Sequence, residues 1–246
     1  MILIKTILFD LDDTLLDNAM ETFLPNYLEA LTPRMAHLIP PHRFVEQLLS
    51  STRAMAGNTD PTRTNRQVFT EDFFPKVGHP LEVLMPVFDN FYAHDFGRLR
   101  IYTRARPEAR VIMEELFAQD YTVVIATNPV FPLAAIEQRL EWAGVRDFDY
   151  ALITSYENMH ACKPHLAYYR EILDKIGCRA DECLMVGNSF DEDIAPAMKL
   201  GIKSFWVVDA KPSVTKPTLQ ANWQGSLADF GRLIKDGLQV TTQAGG

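Results

Sequence analysis

Apolar residues fall into two kinds of run along this chain. The first kind is short and continuous: Thr6 to Phe9 (TILF), Tyr121 to Ala126 (YTVVIA), Ala151 to Thr154 (ALIT), Cys183 to Val186 (CLMV) and Ser204 to Val208 (SFWVV). Runs this short, bounded by polar residues, predict strands buried on both faces of a parallel sheet. The second kind recurs at helical spacing. Pro107 opens one, with Val111, Ile112 and Leu116 along one side. Leu133, Ile136, Leu140 and Ala143 form another, stopped by Gly144. Leu166, Tyr169, Ile172 and Ile176 form a third, stopped by Gly177, and Ile194, Ala197 and Met198 a shorter one before Gly201. From about residue 107 onward strand and helix alternate. That order predicts an α/β fold, a Rossmann-like doubly wound parallel sheet.

From Ala19 to Phe96 no strand pattern occurs. Helix-like patches stand there instead: FLPNYLEAL, HRFVEQLLSSTRAM and LEVLMPVFDNFYAHDF, with a polar, turn-rich AGNTDPTRTNR between them. The first strand needs neighbours, and these come only after this segment. The expectation is therefore an all-helical insertion over 18–103, a core made of 1–17 and 104–240, and a frayed tail over 241–246. The alternative is a long helical N-terminal half of the same core.

Composition narrows the function classes. The chain has 246 residues, 47% hydrophobic and 23% charged, enough for a sizeable core. A net charge of -8 argues against a nucleic-acid partner. No apolar run approaches the roughly 20 residues that span a bilayer, so no membrane partner is expected. The N-terminal apolar run is too short for a signal peptide and stops at Asp10. Cys162, Cys178 and Cys183 show no metal-ligand spacing, and free thiols in a reducing cytoplasm are expected.

The stretch FDLDDTLLD sets Asp10, Asp12, Asp13 and Asp17 directly after the first strand. Carboxylates this dense repel one another. In open parallel sheets ligands bind beyond the carboxyl ends of the strands, and other strand ends here carry matching groups. Thr127 and Asn128 follow the second strand, before a helix N-terminus that can hold an anion. Lys163 lies in the loop after the third. Asn188, Asp191 and Asp193 follow the fourth, in GNSFDEDIAPA. A divalent cation and a phosphate among these groups would account for the crowding.

In these residues the chain resembles the haloacid dehalogenase (HAD) superfamily of phosphohydrolases. The family's Asp-x-Asp-x-Thr motif is matched by Asp10-Leu11-Asp12-Asp13-Thr14, its strand-ending Thr by Thr127, and its Lys-Pro by Lys163-Pro164. Its fourth motif is matched by Gly187 to Asp193, with Asn188 where an Asp is usual. The helical insertion stands where the family places its C1-type cap.

The resemblance implies a Mg²⁺-dependent phosphatase acting on a small phosphorylated metabolite through an aspartyl-phosphate. Asp10 would be the nucleophile and Asp12 the general acid and base. Thr127, the backbone N–H of Asn128 and Lys163 would hold the phosphate. Asp10, the Asp12 carbonyl, Asn188 and Asp193 would hold Mg²⁺. A sugar-phosphate mutase, or a catalytically weak protein that binds through the same fold, are the alternatives. A dehalogenase is disfavoured by Asp12, because a departing halide needs no proton. Asp13 and Asp17 read as turn and surface acids. Arg63, Arg66 and the run Arg98, Arg100, Arg104, Arg106, Arg110 read first as solvated surface. The oligomeric state stays open.

Overall fold

The computed structural model describes residues 3–208 and 220–238. In chain order its elements are β1 (Thr6–Phe9), β2 (Leu16–Asp17), α1 (Met20–Met35), α2 (Pro41–Ala56), α3 (Asn65–Val77), α4 (Leu81–His94), β3 (Arg104–Ala105), α5 (Pro107–Ala118), β4 (Thr122–Ile125), α6 (Leu133–Trp142), β5 (Leu152–Ile153), α7 (Leu166–Ile176), β6 (Cys183–Gly187), α8 (Ala195–Lys199), β7 (Lys203–Val207), β8 (Trp223–Gly225) and α9 (Leu227–Lys235). A 3-10 helix, Phe96–Tyr102, follows α4. The expected frayed tail over 241–246 lies outside the described residues.

The six-stranded sheet runs β5-β4-β1-β6-β7-β8, and every neighbouring pair is parallel. β1 is central and wholly buried. Its alternate side chains serve two cores, as the two-residue period of a strand requires. Ile7 and Phe9 join the cluster that holds α5, α6 and α9, while Leu8 joins Tyr168, Tyr169 and Ile172 of α7 on the other face. That two-sided burial is why the strand reads as an unbroken apolar run. Phe9 lies level with Ile125 of β4 and Val186 of β6. The residues after these three strand ends therefore emerge side by side.

The helices α1–α4 lie between β2 and β3. Those two short strands pair antiparallel, Leu16 with Ala105 and Asp17 with Arg104, so the chain enters and leaves the helical segment at one place. Phe23 and Tyr27 of α1 pack edge-on to Phe131 in the loop before α6, and Phe96 stacks on Trp142 of α6. The helical segment thus shares an aromatic core with the sheet layer.

Three features go beyond the sequence expectation. The β2–β3 ribbon is too short to leave a pattern. α3 begins where a turn-rich stretch was read, and a capping box starts it: Thr64 accepts from the Gln67 backbone, while the Gln67 side chain accepts from the Thr64 N–H. β8 and α9 extend the sheet past the last strand expected, α9 opening on a second capping box between Ser226 and Asp229. Among the described residues no helix is long and apolar enough to cross a membrane.

Candidate active site

Asp10 leaves β1 with its backbone N–H still bonded to the Val186 carbonyl. The turn beyond it folds back sharply: Leu15 and Leu16 both donate to the Leu11 carbonyl, and Asp13 adopts a positive φ of 57°. This turn carries Thr14 over the Asp10 carboxylate. Thr14 Oγ1 donates to Asp10 Oδ2 at 3.0 Å, and Lys163 Nζ donates to Oδ1 at 2.8 Å. Asp13 Oδ1 accepts the Asn18 N–H at 2.9 Å, so this acid serves the turn.

Lys163 is buried, and its ammonium also donates to Asp193 Oδ1 at 2.6 Å. Burial works against its charge, but Asp10 and Asp193 outweigh it and hold the amine well above its ordinary value. Burial pushes Asp10 up to about 7; the Lys163 charge opposes that shift, and the Asp193 charge adds to it. The site is a buried cation between two carboxylates, short of one positive charge. Gly187 makes room for this arrangement. A Cβ there would sit 2.3 Å from Asp193 Oδ2, the oxygen that accepts the Ser189 N–H at 3.0 Å.

Thr127 is buried at the end of β4. Its carbonyl accepts from Thr154 Oγ1 and from the Tyr168 hydroxyl, both at 2.8 Å. Its own hydroxyl makes no hydrogen bond to the described residues. Asn128 follows, with a buried Oδ1 that has no hydrogen-bond partner among the described residues.

Asp12 points to a different set of partners. Its Oδ1 accepts from Asn18 Nδ2 at 2.7 Å, and its Oδ2 pairs with Nη1 of Arg139. Sequence reasoning missed Arg139. It lies on α6 between Ile136 and Leu140, inside the apolar stripe, and is 1% exposed. An arginine within such a stripe was the available signal. Its guanidinium lies 4.8 Å from the Phe131 ring centroid, and its Nε and Nη2 have no hydrogen-bond partner among the described residues. The Asp12 pair is thus its one ionic anchor among them.

Asn188 Oδ1 faces the same Thr14 hydroxyl as Asp10 Oδ2, at 3.4 Å. Two hard oxygens therefore flank one point, beside a site that is short of positive charge. Mg²⁺ suits such a place, because it keeps several waters and takes one or two carboxylates plus substrate phosphate. Among the described residues no group of three or more His, Cys, Asp or Glu side chains could hold a metal. Both Asp193 oxygens are engaged by protein donors, so the structure sets Asp193 against Lys163.

Arg63, Arg98 and Arg110 lie elsewhere. Arg63 pairs with Asp60 and Glu71, Arg98 with the buried Asp95, and Arg110 with Glu114 and Asp147, the three guanidinium groups themselves at the surface. The turn-rich stretch nevertheless touches the site's loops through two asparagines. Asn58 Nδ2 donates to the His160 carbonyl at 2.9 Å. Asn65, fully buried, donates to the carbonyls of Pro129 at 3.2 Å and Ala161 at 3.3 Å. It thereby joins the Thr127 loop to the Lys163 loop.

A model of the haloacid dehalogenase-like hydrolase family matches residues 4–201. The glyceraldehyde 3-phosphate phosphatase of Methanothermobacter thermautotrophicus is 25% identical over 241 residues, 97% of this chain and 95% of that protein. The fold is similar to that of 2-haloacid dehalogenase from Pseudomonas syringae pv. Tomato DC3000, with a TM-score of 0.59 and 21% identity over 95% of this chain and 99% of that one. It is also similar to the Bacillus subtilis protein YfnB, whose magnesium-bound structure reveals interdomain movement. There the TM-score is 0.53 and identity 22%, over 94% of this chain and 99% of that one. A dehalogenase shares this architecture, so the fold by itself does not fix the reaction.

Proposed function

The chain belongs to the haloacid dehalogenase-like hydrolases, and from that premise we propose that it hydrolyses small phosphate monoesters with Asp10 as nucleophile and Mg²⁺ as cofactor. The observation that carries this reading is the pair of separately held carboxylates, Asp10 on Thr14 and Lys163, Asp12 on Arg139 and Asn18. An alkoxide needs a proton to leave and a halide does not, so a second positioned carboxylate fits ester chemistry.

An Asp10 oxygen attacks phosphorus in line as the ester P–O bond breaks. The departing oxygen takes a proton from Asp12 and leaves as the alcohol. Asp12 then takes a proton from water, whose oxygen attacks the same phosphorus. The bond to Asp10 breaks, inorganic phosphate leaves and the carboxylate is restored. The Thr127 hydroxyl, the Asn128 N–H and the Lys163 ammonium hold the equatorial oxygens. Arg139 and Asn18 each take one lone pair of a different Asp12 oxygen, which fixes the carboxylate plane and leaves lone pairs free for the transfer. When bound, Mg²⁺ supplies the charge that lets one anion approach another. Asp10, the Asp12 carbonyl and Asn188 would hold it, and Asp193 would act through Lys163.

The helical segment over 18–103 would close over the site as a lid and exclude water. The single entry and exit ribbon supports this reading, as does the interdomain movement of YfnB. The test is phosphate release from a panel of phosphorylated metabolites, with and without Mg²⁺, for the wild type and Asp10→Asn. Mg²⁺-dependent turnover that disappears in the variant, with its circular dichroism unchanged, is the expected result. Wild-type rates in Asp10→Asn would refute it.

A further inference from the structure

Carbonyls along the loop between β5 and α7, the loop that carries Lys163, accept hydrogen bonds from the helical segment. The Arg66 N–H donates to the Tyr156 carbonyl and the Asn65 N–H to the Met159 carbonyl, both at 2.7 Å. Asn58 Nδ2 donates to the His160 carbonyl at 2.9 Å, and Asn65 Nδ2 to the Ala161 carbonyl at 3.3 Å. Asn65 Nδ2 also donates to the Pro129 carbonyl at 3.2 Å and lies 3.3 Å from Cys162 Sγ. A side-chain amide nitrogen carries two protons, and these two carbonyls can take one each. Pro129 stands next to Asn128, and Ala161 two residues before Lys163. One amide group therefore ties together the two loops that carry the proposed phosphate-holding groups.

Helix capping does not account for Asn65. The start of α3 is closed by Thr64 and Gln67. The Asn65 side chain is fully buried, and its Oδ1 has no hydrogen-bond partner among the described residues. A buried amide oxygen without a partner destabilises the fold, and the two bonds of the nitrogen offset that cost.

We infer that Asn65 is a positioning residue for phosphoryl transfer. From the helical segment it sets the Thr127–Asn128 loop against the Lys163 loop, so the phosphate grip is complete only while that segment is docked. Asn65 touches neither the substrate nor the proton that Asp12 transfers. This rests on the phosphatase reading given above.

Two variants test the bridge. Asn65→Leu keeps nearly the same volume and removes both donors. Asn65→Ser leaves room for water, which can satisfy the carbonyls without tying them together. A displacement of about 1 Å at the reacting groups costs roughly 100-fold, so each variant is expected to lower kcat/KM for phosphate monoesters by about 10–100-fold. Binding of inorganic phosphate, followed by calorimetry, is expected to weaken in both. The fractional loss should be the same for nitrophenyl phosphate and glycerol 3-phosphate, because proton delivery to the leaving oxygen is untouched. Asn58→Ala removes a bond to the Lys163 loop alone and is expected to cost much less. Thermal melts confirm that each variant folds. In the wild type, inorganic phosphate with Mg²⁺ is expected to slow hydrogen exchange at the Asn65 and Arg66 amides, since docking and phosphate binding must favour each other reciprocally. Unchanged exchange at saturating phosphate overturns the inference whether or not the variants fold. So do wild-type rates in folded Asn65 variants, a loss confined to the poor leaving group, or an equal loss in Asn58→Ala; each leaves the phosphatase reading intact. Phosphate release by the wild type from neither ester, nor from any in the metabolite panel, overturns both.

Discussion

Replacing Lys163 by Met removes the one ammonium between two buried carboxylates. The nearest loss is its bond to Asp193 at 2.6 Å, a charge-assisted contact whose removal costs about 2–3 kcal/mol. That cost is present at pH 6, where Asp10, pushed up to about 7 by burial, is largely protonated in the wild type. Above pH 7 the two proteins part. The lysine holds the Asp10 value down against burial, so without it Asp10 keeps its proton to higher pH. A carboxyl whose folded value lies above its unfolded one stabilises fully at low pH and loses that contribution as pH rises through the folded value. The wild type should therefore lose stability between about pH 4 and 7 and then level off, while the variant goes on losing about 1.4 kcal/mol per pH unit. The gap should widen from about 2–3 kcal/mol at pH 6 to about 4–5 kcal/mol near pH 8.5, in line with breaking a buried ion pair. Urea unfolding in chelator, from pH 6 to 9, measures it, with unchanged m-values as the control for a common unfolded state. A gap that stays constant with pH would show that Lys163 contributes packing and not charge, and would refute the electrostatic account of this site.

Other expectations follow from single contacts. Arg139→Met should lower kcat by roughly 10–100-fold with KM little changed, as for a group that positions a general acid and base; Arg139→Lys should not restore it, since an ammonium cannot stack on Phe131 in the same way. Asp12→Asn should slow turnover by roughly 10²–10⁴-fold, and less for a nitrophenyl ester, whose leaving group hardly needs the proton; equal losses for good and poor leaving groups would count against protonation by Asp12. Gly187→Ala should destabilise by more than about 2 kcal/mol, because its Cβ displaces the Asp193 carboxylate from Lys163 and Ser189; a denaturant midpoint equal to wild type would contradict this. Asn188→Asp adds a charge beside Asp10 and should lower the Mg²⁺ concentration for half-maximal activity; an unchanged or higher requirement would place Asn188 outside the metal's ligands.

The strand ends were legible because a strand buried on both faces must be apolar until it stops, and the polar residue that follows is conspicuous. Asp10, Thr127 and Asn188 were visible on that ground, and the register of β1 with β4 and β6 brings their strand ends level. What Asp193 faces was not legible. Spacing sets it near the site, but only the folded loop decides that both its oxygens meet protein donors. Arg139 was hidden by the habit of reading a helix stripe for its apolar members. The start of α3 was masked by the polar residues that cap it: Thr64 and Gln67 look like a turn until their reciprocal bonds are seen. The C-terminal β8 is three residues long and joins an edge, where little hydrophobic pattern is required.

The central place of β1 also bears on how the protein is made. Its two neighbours are β4 and β6, both later in the chain, so β1 has neither neighbour until Thr122–Ile125 appears. At ~5–20 residues per second, some 110 residues of further synthesis take roughly 5–20 s. Throughout that interval Ile7, Leu8 and Phe9 have no sheet to join, while α1–α4 are made and completed before β4. Nascent chains stalled between β3 and β4 should therefore bind a hydrophobic-segment chaperone through this N-terminal run, and chains extended past β6 should not.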